Sequence, residues 1–261
     1  DVWKALTEAE ELMRWFPLRA EVKPGKDGSM LWAWEESWDW PSRIDAWEPG
    51  KLLRLTQDDY RPSEDVERST VVMEFRLETH AGKTRLHFVH SGFGQGASWD
   101  HELDSISEGW PVELGSLRVY LERYRGRNRR VGRASASVAA PRTEVWAKLI
   151  GPEGFRLTPA EPRDGGSFEV LSPAGERLTG TVETVIPGRS VSGVVKEMAH
   201  AVLRIATWSQ PDGNAGAWVW LASYGDDEDR VRTFGTAADA MLKRLFPATS
   251  AGSGSGGAPT G

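Results

Sequence analysis

Between residues 69 and 91 apolar and polar side chains alternate. Val71, Met73, Phe75 and Leu77 fall on one side of an extended chain and Glu74, Arg76 and Glu78 on the other, the period of two expected of a half-buried strand. The same alternation puts Leu86, Phe88 and His90 together, opposite Arg85, His87 and Val89. Turn signals at Pro24-Gly25, 26–28, Trp40-Pro41, Pro49-Gly50 and 81–83 divide this region into consecutive antiparallel strands at 30–36, 43–48, 52–58, 69–79 and 84–91. Ahead of them the pattern predicts two short helices, 1–6 and 8–15, with Thr7 and Glu10 as a capping box and Pro17 as the stop. After them the period changes to three or four at Leu103, Ile106, Trp110, Leu114, Leu117 and Leu121. That spacing predicts one long helix, capped by Ser98 or Asp100 and running to about Tyr124, over one half-buried sheet.

The second half repeats the first. Val2-Trp3 recurs at Val145-Trp146, Pro49-Gly50-Lys51 at Pro187-Gly188-Arg189, and 117–121 resembles 241–245; the offsets fall from 143 (145 minus 2) to 138 (187 minus 49) to 124 (241 minus 117). Matches in the same order at shrinking offsets imply a tandem duplication with a shortened second copy. The boundary falls in the basic stretch 126–130, giving domains at 1–125 and 131–247. Strands are expected at 135–140, 167–171, 177–186, 190–197, 200–209 and 216–224, with a final helix at 229–246. The strand at 135–140 has no counterpart before Asp1, so a first strand of roughly ten residues is expected upstream of the first copy. The segment 248–261 is rich in Gly and Ser and reads as a flexible tail.

Composition narrows the chemistry. The 261 residues carry 32 Lys and Arg against 38 Asp and Glu, a net charge of −6 that disfavours nucleic acid as a partner. There is no Cys, hence no disulfide, thiolate nucleophile or sulfur-ligated zinc, which fits a reducing cytoplasm. No run of 18 apolar residues suggests a membrane span. Trp is abundant at 13, nine of them at or before Trp110.

Two short helices, a curved antiparallel sheet and a long closing helix resemble the helix-grip fold of the START/Bet v 1-like (SRPBCC) superfamily. Within it the chain is most similar to the heat-shock protein 90 ATPase activator homologue family. The residues carrying this are 2–7 with 12–16, Trp47 to Leu52, Thr84 to Phe93, and Gly109-Trp110 with Leu114, Leu117 and Leu121. The resemblance implies an α+β protein of two helix-grip domains. It also implies a cavity for a small hydrophobic molecule between sheet and long helix, as superfamily members hold, with a pocket in the first domain. The second, which keeps Val145-Trp146 and Pro187-Gly188 but lacks the Gly-Trp pair, reads as a diverged copy facing a protein partner or self-associating.

The candidate ligand-binding residues are Trp32, Trp34, Met73, Phe75, His90, Trp110, Leu114 and Leu117. Trp32 and Trp34 share one strand face, and Trp38 and Trp40 share another face nearby; flat rings of this size line aromatic pockets or fill ordinary cores. His90, in phase with Leu86 and Phe88, should face the same space as Trp110, either as a polar anchor or as a satisfied core histidine. Glu36, in phase with Trp32 and Trp34, is a second candidate polar group at a strand end. His87 points the other way, so no shared metal site is expected, and no cofactor is implied. The glycines of 92–96 lack the Lys-Ser/Thr of a phosphate loop and read as a turn. Binding of a small hydrophobic or aromatic ligand is therefore the favoured function. A polyketide cyclase or aromatase-like enzyme using His90, and a co-chaperone-like protein-binding module, are the alternatives.

Overall fold

The computed structural model describes residues 1–35, 38–64, 66–198, 201–210 and 213–247. Glu36, the side chain of Trp38 and the tail 248–261 lie outside the described residues. By packing, the chain divides into two units, one of Asp1–Leu103 with Leu117–Gly126, the other of Asp104–Ser116 with the chain from Arg127 onward.

In the first unit α1 (Val2–Thr7) and α2 (Ala9–Met13) precede β1 (Arg19–Lys23), β2 (Ser29–Glu35), β3 (Trp38–Glu48), β4 (Leu52–Tyr60), β5 (Ser69–His80) and β6 (Lys83–Ser91). The strands form one antiparallel meander in chain order, and the helix α3 (Ala97–Val119) follows, ending in a π-helical turn through Tyr124. Alternation does what the sequence predicts, since Val71, Met73, Phe75 and Leu77 are all buried. β1 escapes that pattern: it offers only Ala20 and Val22 to the core and gains its place by pairing with β2 from Arg19–Ala33 to Lys23–Ser29. The capping box at Thr7 does not form. Its hydroxyl donates instead to the carbonyl of Trp3 at 2.7 Å, closing the last turn of α1, and the extended Glu8 stands at the start of α2 without a side-chain cap.

α3 begins before the expected caps, at Ala97, and its buried face is turned by one position from the apolar stripe. Residues 99, 102, 106, 110, 113, 117 and 120 are buried, whereas Leu103 is 42% exposed and Leu114 half-buried. Two glutamates, Glu102 and Glu113, are buried beside the leucines of the apolar stripe, because each has a polar partner, half-buried Tyr60 for one and buried Arg204 for the other.

The second unit contains β7 (Arg130–Val138), α4 (Arg142–Ile150), β8 (Ser167–Leu171), β9 (Arg177–Ile186), β10 (Ser190–Val195), β11 (Ala201–Ser209), β12 (Ala215–Ser223) and α5 (Glu228–Leu245). The sheet order is β7-β12-β11-β10-β9-β8. β7 opens at Arg130, five residues ahead of the apolar stretch, because its backbone pairs along the whole of β12 from Ser223–Arg130 to Ala215–Val138. Val145, Phe155, Val182, Leu203, Val219 and Phe234 belong to one buried core between sheet and helices. α5 approaches β7 backbone to backbone. A Cβ on Gly132 would stand 2.1 Å from the carbonyl oxygen of Val231, and one on Gly235 would stand 3.3 Å from Gly132 Cα.

Both units thus carry a six-stranded antiparallel sheet followed by a long helix, the helix-grip plan in tandem. They differ at one edge. β12 is flanked by β11 and β7, whereas β6, the corresponding last strand before its helix, pairs with β5 alone among the described residues.

Candidate ligand site

Cross-strand pairing builds one apolar face in the first unit. Leu55 of β4 stands opposite Met73 of β5, which stands opposite His90 of β6; Leu53, Phe75 and Phe88 form the next row. Further along the strand order the hairpin of β2 and β3 sets Trp32 opposite Trp40. Trp40 therefore belongs with Trp32 and Trp34 and not on a separate face. The indoles of Trp32 and Trp34 lie 6.2 and 6.1 Å from that of Trp40, and Phe16 meets both edge-on at 5.1 and 5.0 Å.

The aromatic series continues to His90. Its imidazole is 6.3 Å from Trp40, 6.0 Å from Phe88 and 4.9 Å from Phe93, and Phe93 in turn is 6.4 Å from Trp99. Enclosure by rings removes water from the imidazole and pushes its pKa from 6.5 down to about 4, so His90 is neutral at physiological pH. His87 faces the opposite side, where its Nε2 lies 3.3 Å from Glu78.

Beyond Trp99, Tyr60 at the end of β4 donates its hydroxyl hydrogen bond to Glu102 on α3. Burial and the adjoining carboxylate hold the phenol well above its usual pKa. Three further buried polar groups lie on β3 and β4: Trp40, Ser42 and Gln57 are only 4%, 6% and 5% exposed. The β3–β4 register closes with Arg43 opposite Thr56, and the next residue of β4, Gln57, donates its amide hydrogen to the carbonyl of Pro41 at 3.3 Å.

Residues 1–122 match the family described as Activator of Hsp90 ATPase homolog 1-like protein. That match covers just under half of the chain, and the first unit is similar to that family. No curated protein matches the chain. Among solved structures, the chain is similar to protein MLL2253 from Mesorhizobium loti, at 22% identity and TM-score 0.42 over 48% of this chain and 88% of that one. CalU16 from Micromonospora echinospora shows 20% identity and TM-score 0.36 over 47% and 68%. DynU16, from the dynemicin biosynthetic locus, shows 17% identity and TM-score 0.40 over 92% and 90%.

Of the residues singled out in the sequence, the activator-homologue unit brings Trp32, Trp34, Met73, Phe75 and His90 to one face, and Leu117 is also buried in it. Trp110 and Leu114 fall in the segment 104–116, which packs with the second unit. Phe93, Tyr60, Ser42 and Gln57 were not singled out. Gln57 was readable from its phase with Leu53 and Leu55, and Ser42 from its phase with Trp40. A separate open hollow of about 500 Å³ is lined by Asp1, Trp3, Glu48, Lys51, Arg76 and Glu78 among others. Its charged walls suit water and not an apolar molecule. Among the described residues no helix is long and apolar enough to cross a membrane, and no three His, Asp or Glu side chains are grouped to hold a metal ion.

Proposed function

We propose that the first unit binds a small hydrophobic, aromatic molecule on the inner face of its sheet, against Trp32, Trp34, Trp40 and His90. The observation that carries this reading is the run of rings in which Trp40 meets Trp32, Trp34 and His90, and His90 meets Phe88 and Phe93, with the lowered pKa of His90 in support. Flat rings at 5–6 Å present polarisable faces and edges to an arene, and an uncharged imidazole contributes a hydrogen bond without the cost of a buried charge. The likeness of residues 1–122 to the activator-homologue family supports a fold of the ligand-binding kind. The second unit, with its continuous core, serves as a diverged partner-facing copy.

Native mass spectrometry of the full chain tests this. A retained small molecule, lost together with its protection of tryptophan fluorescence on extraction, is the expected result. A ligand-free mass, with no response of the indole emission to a panel of two-ring and three-ring arenes, overturns it.

A further inference from the structure

The indole Nε1 of Trp40, the hydroxyl of Ser42 and the Oε1 of Gln57 have no hydrogen-bond partner among the described residues, although all three residues are more than nine-tenths buried. A buried donor or acceptor left without a partner costs about 1–3 kcal/mol. Folded proteins seldom accept that cost three times within one small patch. The patch is compact, because Trp40 and Ser42 are two residues apart on β3 and the Gln57 amide on β4 reaches the carbonyl of Pro41, the residue between them.

Its chemistry is complementary within itself. Trp40 can only donate. Gln57 has spent an amide hydrogen on Pro41, which fixes the flip of the side chain and leaves its carbonyl as an acceptor. Ser42 can do either. A single hydroxyl group, accepting from the indole N–H and donating to the amide oxygen, would satisfy the two one-way atoms at once. The charge balance is also informative: Trp40 is bordered by Trp32, Trp34 and His90, and the buried carboxylate of this unit, Glu102, is already engaged by Tyr60. The ring neighbours of Trp40 present aromatic faces and, with the lowered pKa of His90, no positive charge near pH 7, so they suit a neutral ligand better than an anion.

We propose that Trp40, Ser42 and Gln57 form the polar anchor of the aromatic site, and that its ligand is a neutral arene bearing a hydroxyl group. This rests on the ligand-site reading above and adds orientation to it: the hydroxyl is held at β3 and β4 while the ring system lies towards Trp34 and His90.

Equilibrium dialysis of the full chain at pH 7 against 2-naphthol and naphthalene separates the two statements. The two probes share a ring system, and the hydroxyl makes naphthol the more water-soluble, so a purely apolar site favours naphthalene. The wild type is expected to bind 2-naphthol at least about tenfold more tightly, the equivalent of about 1.4 kcal/mol. Gln57→Leu should bring that preference down at least fivefold while naphthalene affinity stays within twofold, and Ser42→Ala should do so more mildly. The preference is a ratio measured within each variant, so a general loss of stability does not mimic it. Equal affinities in the wild type, or a preference untouched by Gln57→Leu, overturn the anchor and leave the apolar site standing. Failure of both probes to bind overturns the site itself and the anchor with it.

Discussion

Glu102, buried on the first turns of α3, accepts a hydrogen bond from the phenol of Tyr60 at the far end of β4. The pair joins helix and sheet within the first unit and explains why a glutamate is buried beside the leucines of the apolar stripe. Tyr60→Phe removes the donor and leaves a buried carboxyl group, which should cost about 1–3 kcal/mol in chemical denaturation. Because the folded-state pKa of Tyr60 is raised, the contribution is complete below pH 10 and is lost as the pH climbs beyond it. A wild type and a Tyr60→Phe variant with equal midpoints at pH 8 would show that the bond carries no stability.

His90 gives the opposite pH dependence. Its folded-state pKa is depressed from 6.5 to about 4, so its contribution is present above pH 6.5 and disappears as the pH falls towards 4. The stake is at most about 3 kcal/mol. Carboxylates titrate in the same window, so the measurement is a comparison: His90→Phe should lose less stability than the wild type between pH 7 and 4.5. Parallel losses would mean that the imidazole is hydrated in the folded protein.

In the second unit the buried charges form a pair. Glu113 and Arg204 side chains are each 8% exposed, and the guanidinium also reaches the Ser116 hydroxyl at 3.1 Å and lies 5.2 Å from the ring centre of Trp218. Glu113→Ala strands a buried cation and should destabilise by about 3–5 kcal/mol, whereas the joint change Glu113→Leu with Arg204→Met should recover most of that loss. A single variant costing less than about 1 kcal/mol would place the pair in water.

Gly132 is fixed by space and not by backbone freedom. With a Cβ 2.1 Å from the Val231 carbonyl, Gly132→Ala must push α5 off β7. A lowered melting temperature together with faster amide exchange in 228–245 is the expected outcome. Unchanged exchange there would mean the helix already stands off the strand in solution.

Most of the strand order was legible because a half-buried antiparallel sheet writes its face into the chain with period two, and β5 and β6 do so cleanly. β1 was not, since five residues with two small apolar side chains acquire strand structure only by pairing with β2. Within the candidate site, the inward turn of His90 followed from its phase with Phe88. The place of Trp40 did not, because it depends on the register of a hairpin whose bulge falls between Ala33 and Glu35. The rotated face of α3 was hidden for a third reason: hydrophobicity marks leucines as buried, and only tertiary partners such as Tyr60 and Arg204 make a glutamate a core residue.

The one-sided pairing of β6 among the described residues marks the place that β7 fills beside β12 in the second unit. A strand with one neighbour offers a row of backbone donors and acceptors to an extended chain, and Val89 adds a side chain that is 54% exposed. Along the same strand Lys83, Arg85 and His87 are exposed, two fixed positive charges and an imidazole at every second position. Two copies of this edge brought together would set like charges against each other, whereas a strand with carboxylates at alternate positions would match it, so the outward side chains of β6 discriminate among the chains that can lie along it while Leu86, Phe88 and His90 face the site.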